Sequence, residues 1–115
     1  MAEISPALEP QQKPKVGKNI VTWAMQDGDT SVAWEAGIMA MKAALQVTGA
    51  IGGASIALEG SLDGSNFFPI KDLAGTEIAL TQAGLVDFAT AAVWIRPVVN
   101  GGASTSVTIS LVVWQ

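Results

Sequence analysis

The tetrapeptide GGAS occurs twice, at 52–55 and 101–104, and each copy joins two long runs of strand-forming residues. AVWIRPVVN (92–100) precedes the second copy and SVTISLVVW (106–114) follows it, with Val107, Ile109, Leu111 and Val113 on one face. The first copy lies between KAALQVTG (42–49) and SIALEGS (55–61), where Ile56 and Leu58 face one way and Ala57 and Glu59 the other. Alternation of this kind is the period of a β-strand, whose successive side chains point to opposite faces. Two such runs around a Gly-Gly joint are expected to form a hairpin, because glycine adopts the positive φ that tight connections need. Two analogous hairpins are therefore expected. Two copies are too few for a solenoid.

The remaining segments also read as β. NIVTWAMQ (19–26) puts Val21, Trp23 and Met25 on one face, DGD (27–29) is a turn, and TSVAW follows as a short strand. The first part of 35-EAGIMAMKAAL-45 has helix-favouring Ala and Met but an early Gly37, and is expected to be loop or edge strand. FFPIK, TEIAL and LVDFA are short strands between glycine-containing turns. Seven to nine strands at this spacing predict an all-β, antiparallel β-sandwich of jelly-roll-like type over residues 19–115. Residues 1–18 read as an extended arm. Pro6, Pro10 and Pro14 recur every four residues, which is expected to keep the arm out of helix and sheet alike. It is either a solvated tail or a tether laid on a neighbour.

Composition narrows the functions open to such a body. The 115 residues are 50% hydrophobic and only 14% charged, against ~25% charged in ordinary soluble domains. The arm has Glu3 and Glu9 against Lys13, Lys15 and Lys18, a balance of +1. The body has eight acids against Lys42, Lys71 and Arg96, a balance of −5, so no phosphate-neutralising patch and no nucleic-acid partner is expected. The chain has no cysteine and no histidine, which removes disulfides, thiolate metal sites and Ser-His or Cys-His catalysis. No signal peptide and no run approaching the ~20 apolar residues of a membrane span is present, so a soluble protein made in a cytoplasm, without a membrane partner, is expected.

The stretch 59-EGSLDGSNFFPIKDLAG-75 gathers carboxylates, hydroxyls and a lysine. A calcium loop counted from Asp63 would need a glutamate at its twelfth position, where Ala74 stands. The better reading is structural: an Asp63-Gly64 turn, Phe67 or Phe68 re-entering the core, Pro69 on an edge strand, Ile70 inward, and a second turn from Lys71-Asp72 to Gly75. The glycines form no phosphate cradle, since no strand–loop–helix context surrounds them. No catalytic residue, metal or cofactor is expected, and the protein is expected not to be an enzyme.

The last strands are apolar on both faces. Trp94 and Val98 lie opposite Ile95 and Val99, and Val112 and Trp114 lie opposite Leu111 and Val113. A two-layer sandwich buries one face per sheet, so a second apolar face points to a contact. Trp94, Val98, Val112 and Trp114 are the expected subunit interface, with cover by the arm as the other reading.

The runs 45-LQVTGAIGGASIALEGSLDGSNFFPIKDLAGTEIALTQAG-84 and 94-WIRPVVNGGASTSVTISL-111 resemble small β proteins encoded among the structural genes of tailed bacteriophages. The marks are the EGS-x-DG-x-x-F turn at Glu59 to Phe67, the DLAGT turn at Asp72 to Thr76, the IRP strand at Ile95 to Pro97 and the glycine-rich joint at Asn100 to Ser104. The resemblance covers about two-thirds of the chain and implies a capsid decoration (cement) protein or a β domain of a tail or fibre. In the first case the partner is the major capsid protein and the location is the capsid surface of the virion. A homotrimer is favoured, and Pro10, Lys13, Pro14, Lys15 and Lys18 would be the capsid-contacting arm. In the second case Trp23, Trp34 and Trp94 would offer stacking platforms for sugar rings. A chain that starts with Met and ends on its last strand is expected to be a whole protein rather than a fibre tip.

Overall fold

The structure, a computed structural model, describes residues 3–5, 7–9, 18–36 and 40–114, with side chains except at 7–9, 18–19, 40–41 and 114. Six long strands carry the fold: β3 (Lys18–Gln26), β6 (Ala40–Ala50), β7 (Ser55–Ser61), β10 (Gly84–Thr90), β11 (Trp94–Asn100) and β12 (Ser106–Trp114). Six short strands complete it: β1 (Glu3–Ile4), β2 (Ala7–Glu9), β4 (Thr30–Ser31), β5 (Trp34–Glu35), β8 (Phe68–Pro69) and β9 (Ala79–Leu80). The expected seven to nine strands thus appear, among the described residues, as six long strands and six short ones of two or three residues.

The larger sheet has the order β10-β6-β12-β3-β2, and the smaller has β5-β11-β7-β8 with β9 also on β7. All of these pairs are antiparallel, whereas β1 pairs β4 in parallel. The inner faces of the two sheets form one core. The larger contributes Val21, Trp23, Met25, Leu45, Val47, Ile109 and Leu111, and the smaller contributes Ile56, Leu58 and Ile95, all of them buried. This is a β-sandwich-like body, with its inner faces set by the alternation of the strands.

The expected hairpins are corrected. β6 and β7 lie in different sheets, as do β11 and β12, so each Gly-Gly joint is an arch that crosses the core. The reason lies beside the glycines. At the first joint Ile51 and Ala54 are both buried, and seating them between the sheets carries the chain away from its own ladder. At the second, the buried Thr105 follows the glycines. Each strand then pairs with its counterpart from the other arch: β6 with β12 from Ala50↔Ser106 to Lys42↔Trp114, and β7 with β11 from Ser55↔Asn100 to Ser61↔Trp94. The two arches therefore lie together at one end of the body. The Ala103 N–H donates to the Gly52 carbonyl at 2.9 Å, and the Thr105 hydroxyl to the Ile51 carbonyl at 2.7 Å. Gly52 has φ +63°, and a side chain there would collide with the Ala103 carbonyl oxygen. The repeated GGAS is the mark of two arches packed on each other.

The reading of the arm also changes. Its prolines do not keep it out of the sheets: Glu3–Ile4 pairs β4, and Ala7–Glu9 adds an edge strand to β3. Three residues between Pro6 and Pro10 are enough for a short edge strand, where a missing donor is tolerated. Trp34–Glu35 is a strand, Ala40 already belongs to β6, and residues 37–39 lie outside the described residues.

Candidate functional site

The Asp63-Gly64 segment folds as turn chemistry predicts. Asp63 Oδ1 accepts the Ser65 and Asn66 backbone N–H groups and the Ser61 hydroxyl, each at 2.9 Å, while Oδ2 accepts the Asn66 side-chain N–H at 2.8 Å. These donors, the Asn66 backbone N–H foremost and then that of Ser65, hold the carboxyl well below the usual carboxylate range. Gly64 takes φ +80°. The second turn follows the same logic: Asp72 Oδ1 accepts the Ala74 and Thr76 N–H groups, and Gly75 closes it onto the Asp72 carbonyl.

Between these turns the expectation for the phenylalanines fails. Neither joins the core: Phe67 is half-buried and Phe68 is 69% exposed. Phe67 instead lies under Arg96, whose guanidinium carbon stands 3.8 Å from the ring centroid. Arg96 also bonds Glu59 Oε1 through Nε (3.0 Å) and Nη2 (2.9 Å). Gly64 meanwhile lies on Trp94, since a Cβ there would stand 3.3 Å from the indole. Residues 62–67 thus roof the outer face of the smaller sheet.

The four expected interface residues do not form one patch. Trp94 and Val98 stand on β11, while Val112 and Trp114 stand on β12 of the other sheet, so their outward positions lie on opposite sides of the sandwich. The split follows from the arch that replaced the expected hairpin. Trp94 is half-buried beneath its own turn, and Val98 is half-buried in a small recess with Thr30 and Ser31. Of the arm, Pro10, Lys13, Pro14 and Lys15 lie outside the described residues, and Lys18 opens β3 opposite Trp114. Trp23 and Trp34 are buried, and the Trp23 indole N–H donates to the Val32 carbonyl at 3.0 Å, so neither is a platform for a ligand.

Beyond Val112 and Trp114, the sequence did not single out the outer face of the larger sheet. Register aligns its rows as Ala24–Thr108–Thr48, Thr22–Ser110–Gln46 and Ile20–Val112–Ala44. Ala24, Thr48, Thr108 and Gln46 are exposed. Among the described side chains of this face only Lys42 and Asp87 carry charge, both toward the β10 edge. The signal was available in the polar half of each alternating run, which is Thr, Ser, Ala and Gln rather than Lys and Glu.

Among the described residues no His, Cys, Asp or Glu cluster could hold a metal ion, and every buried side-chain nitrogen or oxygen has a hydrogen-bond partner. No helix among them is long and apolar enough to cross a membrane. No protein-family model matches the chain, and no curated protein matches it.

Proposed function

We propose that this chain is a structural virion protein that binds the outer surface of a bacteriophage capsid and stabilises it by bridging neighbouring capsid subunits. The observation that supports this reading is the run of exposed Thr, Ala and Gln across the middle of the larger sheet's outer face, where charge among the described side chains is confined to Lys42 and Asp87 near the β10 edge. Interface cores are depleted of charge, because bringing Lys or Glu out of water costs more than a contact returns. The face's middle rows of Thr, Ser, Ala and Gln are bordered by Ile20, Val112 and the exposed Leu85. They lie on a sheet braced by nine-residue ladders and can meet a protein surface with little desolvation and little side-chain ordering. The major capsid protein is the partner, and the virion surface the location. Association as a small homo-oligomer, a trimer, would multiply weak contacts through effective concentration.

The motif resemblance to phage β proteins supports the same reading. Within it, the contact proposed for Val112 now lies with Thr108 on the larger sheet, apart from Trp94 and Val98. The rival, a sugar- or receptor-binding module of a tail or fibre, loses Trp23 and Trp34 as platforms. The test is to add the purified chain to capsids that lack it. Capsid binding by the native chain and its loss in Thr108→Arg, with an unchanged melting temperature, is the expected result. No binding by the native chain would reject the reading.

A further inference from the structure

One aromatic residue is exposed on the core side of its sheet. The β7–β8 register sets Phe68 opposite Gly60, and Ile70 bonds Leu58 one rung further in. Leu58 and Ile70 are buried, yet Phe68, on the same face, is 69% exposed. The core closes over one rung and stops before the next. Gly60 is the cause, because the space above it is already taken: a Cβ there would stand 2.7 Å from Ala92 Cβ and 3.1 Å from Ile70 Cδ1. Phe68 therefore projects into an open cleft of about 830 Å³ at the sandwich edge, within the ~300–1,000 Å³ range of small-molecule sites.

The cleft offers unused hydrogen-bonding capacity. Asn66 spends its side-chain N–H on Asp63 and keeps its amide oxygen; Asp72 spends Oδ1 on two backbone amides and keeps Oδ2. Thr90 Oγ accepts the Ala92 N–H and keeps its own hydrogen, while the Lys71 ammonium bonds none of the described residues. An aromatic ring beside donors and acceptors of both kinds suits a ligand with an apolar face and a polar edge. Asp63 and Asp72 against Lys71 leave the lining negative, which disfavours phosphates and carboxylates.

We infer that this cleft binds a neutral saccharide, with the C–H face of one sugar ring on Phe68 and its hydroxyls toward Asn66, Asp72 and Thr90. The inference does not rest on the capsid reading. Its test is titration of the ¹⁵N-labelled chain with maltotriose, lactose and chitotriose, followed by NMR. At least one sugar should shift the Phe68, Asn66 and Thr90 amides with roughly millimolar affinity. Phe68→Ala, a change at an exposed side chain, should weaken that binding about tenfold, and Phe68→Trp should keep it. Glucuronic acid should bind more weakly than the neutral sugars. The inference is overturned by the absence of shifts at about 50 mM of each sugar, or by equal affinity in Phe68→Ala. Shifts of the same amides with protein concentration alone, indifferent to sugar, would assign the cleft to a contact between copies and also overturn it.

Discussion

On the smaller sheet, Trp94 and Arg96 point outward and are roofed by residues 62–67, with Gly64 on the indole and Phe67 under the guanidinium. On the larger sheet, Thr108 and Thr48 point outward and remain exposed. The alternation of β11 and β12 announces both outer faces in the same way, as strands apolar on two sides. The first is covered by the 62–67 turn, whereas on the second Val112 is half-buried and the exposed middle rows are Thr, Ala and Gln. A second apolar face in a strand is a candidate interface only where the loops of the same chain leave it exposed.

The largest effect is expected on the covered side. Trp94→Ala should cost about 2–3 kcal/mol of folding stability in urea denaturation, because it empties the space beneath the 62–67 turn. A cost below about 0.5 kcal/mol would mean that Trp94 is an ordinary surface residue and that the roof is not packed on it. Gly64→Ala comes next. It forces a side chain to φ +80° and sets its Cβ against the indole, and about 1–2 kcal/mol of destabilisation is expected.

A smaller effect belongs to Asp63. Its folded-state carboxyl is held below its unfolded value, so its contribution is fully present above pH ~3.9 and fades as the pH falls through the folded value. In an NMR titration the Asp63 carboxyl should reach its midpoint below the usual aspartate range, and the Ser65 and Asn66 amides should report the same midpoint. A midpoint in the ordinary carboxylate range would show that the turn is not built on this side chain. The smallest effect on stability is expected on the bare side, where Thr108→Arg and Thr48→Arg should change folding by no more than about 0.5 kcal/mol.

Much of this body is legible in the residues. The buried faces of β3, β6, β7 and β12 follow the alternation residue by residue, and both aspartate turns form where Asp-Gly and Asp-Leu-Ala-Gly stand. The sheet to which each strand belongs is not legible, because a Gly-Gly joint serves a hairpin and an arch equally well. At the first joint the burial of Ile51 and Ala54 favours the arch, and burial depends on the whole core. That choice also decided the candidate interface, since it sends Trp94 and Val112 to opposite sides. The exposure of Phe68 is not legible for a related reason. Its face follows from register, but its exposure depends on Ala92 and Ile70 having filled the space over Gly60.

The most direct test of the central claim compares both faces in one binding assay on capsids that lack the chain. Thr108→Arg should reduce binding at least about tenfold while its melting temperature stays within about 2 °C of the native chain. Ala57→Arg, on the outer face of the smaller sheet, should leave binding unchanged. Native-level binding by Thr108→Arg, or loss confined to Ala57→Arg, would contradict the assignment of the larger sheet's outer face as the contact surface.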